Sequence, residues 1–234
     1  PSEKSDILNI LNNYKRFNFD IKSRLIIVPH AGYEFSGETA FKTYQYSDKN
    51  ISNITIISPA QYSKIYGHIS CNAKNFHTPL GNIEIIPYES EYNNDIISKE
   101  SSIGTQLPII KYLFPKANIT PIIYGCEDYL TIYSIIEKQY KTGSAIVVTS
   151  NLSRFVPIRE SLKLDNHISR KIDNLDTKDI DTELADGAIG ICAAIEFCKQ
   201  NKFKLIQSTY NNSSEINGDT SNVVGYGGWY LTTQ

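Results

Sequence analysis

The sequence predicts an α/β fold, a single-domain sandwich over residues 1–234 with a largely parallel or mixed central sheet flanked by helices. Three observations carry the prediction. Continuous apolar runs rich in β-branched residues, such as Leu25-Ile26-Ile27-Val28 and Ala145-Ile146-Val147-Val148, read as strands buried on both faces. These runs alternate with segments whose apolar residues recur at helical spacing. A chain of 234 residues that is 41% hydrophobic is within the size that one core can serve, and no repeat or low-complexity linker divides it.

The chain opens with an amphipathic helix over residues 5–17, in which Ile7, Leu8, Ile10, Leu11 and Tyr14 share a face and Ser5 can cap. Strands are predicted at 25–28, 54–58, 83–86, 119–124, 145–149, 204–208 and 223–231. Helices are predicted at 41–44 with its flanks, 95–99, 107–113, 129–140, 166–175 and 188–199. Ala40, Phe41 and Tyr44 fall on one face, with Ser36 or Gly37 as N-cap, and Ser101 or Ser102 can cap the helix that buries Leu107, Ile109, Ile110 and Leu113. In Ala185-Asp186-Gly187-Ala188, Asp186 reads as the N-cap of the next helix. Beyond Thr209 the rhythm breaks: Asn211-Asn212-Ser213-Ser214 and Asn217-Gly218-Asp219 are turn chemistry, and the Gly-rich run from Val223 to Tyr230 reads as an edge strand that another backbone approaches closely.

A net charge of −2, with Lys and Arg dispersed, leaves no electrostatic footprint for nucleic acid. No apolar stretch approaches the ~20 residues that span a bilayer, and Pro1-Ser2-Glu3-Lys4-Ser5-Asp6 lacks a signal-peptide pattern, so a cytoplasmic protein without membrane contact is expected. Cys71, Cys126, Cys192 and Cys198 form no C-x-x-C pair and read as reduced, buried thiols. Composition sets neither an oligomeric state nor a protein partner.

The candidate site lies where strands end. Pro29-His30-Ala31-Gly32-Tyr33-Glu34-Phe35-Ser36-Gly37 follows the first run and puts His30 two residues beyond a strand's carboxyl end, where open α/β sheets gather ligands. Ser58-Pro59-Ala60-Gln61-Tyr62 and Thr149-Ser150-Asn151-Leu152-Ser153-Arg154-Phe155 follow two other runs and converge on the same rim. No P-loop, strand-linked G-x-G-x-x-G or G-x-S-x-G occurs, which removes the usual nucleotide-binding and serine-hydrolase signatures.

These residues resemble the Memo-like family, called AmmeMemoRadiSam system protein B in prokaryotes. Pro29 to Gly37 resembles its PHAGYxYSG signature, Thr78-Pro79-Leu80-Gly81 its TPLG turn, Ser101 to Pro108 its HSIExQLP segment, Val147 to Arg154 its VVSSDxSH segment, and Gly218 to Tyr226 its GDxxxVVGY ending. The resemblance implies a fold similar to class III extradiol ring-cleaving dioxygenases, which use non-haem iron. It also implies a pocket built from the signature histidine, further histidines in GPSH, HSIE and DxSH turns, and a cysteine in a CG pair. Of these, only His30 is in place. Gln61 stands at the second histidine, Ser101 at the third with Gly104 at its glutamate, Asn151 and Arg154 at the DxSH aspartate and histidine, and Ala185-Asp186 near the CG pair.

A first-row metal wants about three imidazole, carboxylate or thiolate donors. This set offers one imidazole and two neutral amides. A guanidinium about 4 Å from a divalent ion would repel it by roughly 8 kcal/mol at an effective dielectric near 20. The expectation is therefore a family member without a metal site, a non-catalytic binding or scaffolding protein. Its pocket of His30, Gln61, Ser101, Asn151 and Arg154 suits a small anion, or the protein serves a protein partner. The alternatives are a metal-dependent oxidoreductase or dioxygenase-like enzyme that holds iron or copper through His30, with His77 rather than His68 or His167 as helper, and a metal-free enzyme with His30 as general base.

Overall fold

In a computed structural model, which describes residues 3–17 and 19–233, strands and helices alternate through most of the chain; residues 1, 2, 18 and 234 of the expected domain lie outside the described residues. In chain order the elements are α1 (Lys4–Asn13), β1 (Leu25–Val28), α2 (Glu38–Tyr44), β2 (Asn53–Pro59), β3 (His68–Ser70), β4 (Asn75–Thr78), β5 (Gly81–Glu84), β6 (Glu91–Tyr92), α3 (Asn94–Lys99), α4 (Ser101–Gly104), α5 (Gln106–Leu113) and β7 (Asn118–Tyr124). They continue as α6 (Tyr129–Lys141), β8 (Ala145–Thr149), α7 (Ile158–Asp173), α8 (Ala188–Asn201), β9 (Phe203–Asn212), α9 (Ser214–Asn217) and β10 (Gly225–Thr233). No helix among the described residues is long and apolar enough to cross a membrane.

Eight strands form one mixed sheet in the order β6-β3-β7-β2-β8-β1-β10-β9, and β4 and β5 form a separate hairpin. The four central strands, β7, β2, β8 and β1, are mutually parallel. On one side come β10, antiparallel to β1, and then β9, antiparallel to β10; β3, antiparallel to β7, begins the other. Because side chains alternate across a strand, Leu25 and Ile27 of β1 enter one core with Ile132, Ile135 and Ile136 of α6, Ile168 and Ile172 of α7, and Ile191 and Ile195 of α8. Ile26 and Val28 enter the other, with Ile7 and Leu11 of α1, Phe41 and Tyr44 of α2, and Ile109 and Ile110 of α5. Burial on both faces is the reason these strands lack any polar alternation.

Several expectations are corrected. The Gly-rich strand is not at an edge: β10 lies between β1 and β9, and β9 is the edge. What comes close to it is side chains. A Cβ on Gly227 would collide with the Trp229 indole, and one on Gly228 with the Thr43 hydroxyl from α2. The predicted 83–86 strand is displaced to β5, which pairs with β4, while the residues after it reach the main sheet through an Ile85–Ile119 bridge and the Ile86 N–H donating to the Ile119 carbonyl. Helix α7 starts eight residues before expectation, directly after Pro157, because the polar Ser161 and Asp165 occupy its buried face there and leave no apolar signal. Asn211 and Asn212 end β9 rather than form a turn, and the Asn212 side chain accepts the Ser214 N–H to start α9. Of the four free thiols, Cys126 is exposed and the other three are buried.

Gly228→Ala is expected to lower stability by about 1–3 kcal/mol, because neither the β-bulge beside it nor Thr43, which also bonds Thr39 and Ser208, can yield freely. Urea unfolding of the single variant and of its combination with Thr43→Ala checks this: the pair should be non-additive, with part of the loss recovered.

Candidate functional site

The parallel strands β1, β2 and β8 all end at the same rim, and the three turns that follow them meet there. Val28 pairs with Thr149, so His30 and Asn151, each two residues on, face each other. The His30 N–H donates to Asn151 Oδ1 at 3.1 Å, and the Pro29 and His30 carbonyls accept from Gln106 Nε2 and Thr105 Oγ1. The turn carrying Gln61 is held differently. Glu100, buried between α3 and α4, accepts the Gln61 N–H at 2.9 Å and the Tyr62 N–H at 3.3 Å, while Ser102 donates to the Pro59 carbonyl.

His30 is 4% exposed and both of its ring nitrogens are engaged within the protein. Nδ1 lies 2.9 Å from Thr149 Oγ1, which is 2.6 Å from Ser58 Oγ. Nε2 donates to Asp186 Oδ2 at 3.1 Å. Ser58, Thr149, His30 and Asp186 therefore form one buried chain of polar contacts. Hydroxyl, imidazole and carboxylate in that sequence match a catalytic triad in outline. Ser58 and Thr149 are wholly inaccessible, so neither hydroxyl can meet a substrate.

Asp186 takes a role other than the helix cap its local sequence predicts. It does not cap α8, whose N-cap is Gly187, without a side-chain cap bond. Its carboxylate instead accepts the Asn151 N–H at 2.8 Å on one oxygen, which also lies 3.3 Å from Ser150 Oγ, and accepts from His30 Nε2 and Asn151 Nδ2 on the other. Burial by itself would raise the Asp186 carboxyl, but the His30 imidazole, the Arg154 guanidinium and the Asn151 N–H together hold it below the ordinary aspartate range. Gly187 makes this placement possible, since a Cβ there would fall 2.5 Å from the Thr149 carbonyl. An Asp before a Gly at a helix start reads locally as a cap; only the long-range pairing distinguishes the two roles. Its position near the CG pair in the resemblance was the one signal that could have found it.

Arg154 is half-exposed and turns toward the site, its guanidinium 3.9 Å from Asp186 Oδ2. The loop around it is fixed on both sides. Before it, the Ser153 N–H donates to the buried Asp165 of α7; after it, Val156 bridges to Val223. Between these anchors Phe155 adopts φ +56 with its ring 73% exposed. A positive φ is uncommon in a bulky residue, and such conformations persist only where surroundings impose them.

Gln61, Asn151 and Arg154 line one cavity of about 340 Å³ together with Asp186, Phe35, Phe155 and Tyr226. His30 lies beneath its wall. Ser101 is not among the lining residues: it begins α4 instead of capping a helix, and its hydroxyl pairs with that of Tyr62. The other histidines are elsewhere. His68 pairs with Glu127, His77 with Asn82 beside a different cavity, and His167 lies on α7 near Lys163 and Arg170. Among the described residues, no three His, Cys, Asp or Glu side chains gather in a group able to hold a metal ion.

Comparison with known proteins places this geometry in a wider context. The family model described as Memo-like protein matches residues 1–230. A MEMO1 family protein of Methanococcus vannielii is 30% identical over 86% of this chain and 81% of its own length. One from Archaeoglobus fulgidus is 26% identical over 97% of this chain and 94% of its own length, and one from Methanobrevibacter smithii is 26% identical over 86% and 80%.

The pair sets two expectations. His30→Ala leaves a buried carboxylate with one partner fewer and should cost about 3 kcal/mol of stability at neutral pH by urea unfolding. Since the Asp186 carboxyl is lowered in the folded state, its contribution is present above the ordinary aspartate value of about 4 and is lost as pH falls through the lower native value. Asp165, raised by burial against its hydrogen bonds, acts in the opposite sense and favours the folded state at low pH. The stability difference between wild type and Asp186→Asn, measured from pH 7 to pH 2, should therefore shrink below about pH 4.

Proposed function

The chain belongs to the Memo-like family, and from that premise we propose that it is a metal-independent, non-catalytic binding member of it. The observation that carries this reading is the full commitment of the His30 imidazole. A metal ligand must offer a nitrogen lone pair to the ion, and a general base must offer one to a substrate proton. Here Nε2 donates to Asp186, and Nδ1 faces Thr149 across a buried contact. Recruiting either nitrogen means breaking a buried pair.

The other positions support the same reading. Gln61 and Asn151 offer neutral amides in place of anionic or imidazole donors, and Arg154 already sits against Asp186, the carboxylate that an ion would need. This donor set fits neither the non-haem iron that the resemblance implies nor copper. What remains at the rim of β1, β2 and β8 is a preformed cavity lined by polar groups and aromatic rings, the usual character of a small-molecule binding site.

Metal analysis after anaerobic incubation with Fe(II), and separately with Cu(II) and Zn(II), tests the reading. After desalting, wild type and His30→Gln should both carry well under one equivalent per chain. Near-stoichiometric metal in wild type that is lost in His30→Gln would overturn it and return the chain to the oxidoreductase class.

A further inference from the structure

We propose that the cavity at the β1-β2-β8 rim binds a small monocarboxylate with an apolar body, the carboxylate on Arg154 and the body against Phe155 and Phe35. The proposal rests on the metal-independent reading above and adds a ligand class to it. The argument begins with which polar atoms are already spent. An ionised carboxylate has about four acceptor sites, and Asp186 accepts from His30 Nε2, Asn151 N and Asn151 Nδ2, with Ser150 Oγ, whose hydroxyl also reaches the Asn151 carbonyl at 2.7 Å, a further contact at 3.3 Å. Asn151 Oδ1 accepts from His30, Asn217 Oδ1 from the Asp219 N–H, and Ser213 Oγ from the Val224 N–H. The acceptors of these four side chains are thus committed within the fold.

The donors are not. A guanidinium carries five N–H groups, and Arg154 makes no hydrogen bond to the described residues; its contact with Asp186, at 3.9 Å, is an ion pair too long to be one. The Gln61 carboxamide is equally uncommitted, although its backbone N–H is tied to Glu100. Unspent guanidinium N–H groups favour a ligand that brings acceptors, and a planar guanidinium favours a carboxylate in two-point contact. Arg154 is the single charged donor in the lining, so one carboxylate matches it.

The apolar part of the lining sets the rest of the ligand. Phe35, Val224 and Tyr226 supply apolar surface, and Phe155 holds its ring at the mouth, exposed and at a positive φ between two anchored neighbours. An exposed aromatic held in an unfavourable backbone conformation gains by covering a ligand face. At a liquid-water share of about 30 Å³ per molecule, the cavity has room for roughly eleven waters, or a ligand with about as many non-hydrogen atoms.

The test is calorimetric titration of chelator-treated wild type, Arg154→Gln and Phe155→Gly with benzoate, its neutral isostere benzamide, and acetate, which lacks the apolar body. Benzoate should bind roughly tenfold more tightly than benzamide, a preference that Arg154→Gln abolishes, and roughly tenfold more tightly than acetate, a preference that Arg154→Gln leaves in place. Phe155→Gly, which also removes the strained φ, should weaken benzoate about threefold and leave acetate unchanged. Equal affinity for benzoate and benzamide, benzoate binding insensitive to Arg154→Gln, or no saturable benzoate binding would overturn the carboxylate site alone. Benzoate binding that needs added Zn(II) would overturn both it and the metal-independent reading.

Discussion

The buried pair of His30 and Asp186 is the interaction on which the rest of the site depends. Each partner would be costly to bury alone, and each is made tolerable by the other and by the hydroxyls and amides around them. The pair also ties together parts of the chain that are 156 residues apart, joining the turn after β1 to the start of α8. Its geometry decides what the site can offer. With the imidazole and the carboxylate satisfied by protein groups, the uncommitted chemistry moves outward to Arg154 and Gln61 at the cavity wall.

The sheet provides the precision this requires. Three parallel strands in adjacent positions, β2, β8 and β1, deliver their following turns to one rim, and cores on both faces hold those strands at fixed height. Around the rim the turns are locked by long-range contacts. Glu100 fastens the Gln61 turn, Asp165 fastens the loop before Arg154, and Asn151 bonds both His30 and Asp186. In the loop that carries Arg154 a positive φ falls at Phe155, between two such anchors, where the fold presents an aromatic ring that it does not itself bury.

The strands of the central sheet were legible because burial on both faces leaves an unbroken apolar signature: β1 and β8 match the expected bounds, and β2 and β7 extend past theirs by no more than a residue at either end. Elements buried through polar residues were not. The first turns of α7 are hidden because Ser161 and Asp165 fill the inner face, and the interior position of β10 is hidden because its glycines make room for side chains from other elements. The turns carrying His30, Gln61 and Asn151 could be placed from their strands. The partner that decides the chemistry of His30 could not, since Asp186 sits in a local context that favours a helix cap, and Glu100, Thr149 and Ser58 act through contacts that no local pattern encodes.

The most direct measurement of the central claim is the nitrogen-15 NMR spectrum of the His30 ring, assigned through the His30→Gln variant and recorded with and without Zn(II) in excess. If the imidazole is committed to Asp186 and Thr149, its two ring-nitrogen shifts stay in place when the metal is added. A shift of either nitrogen to the range of a metal-bound imidazole, saturating at one Zn(II) per chain, would contradict the account.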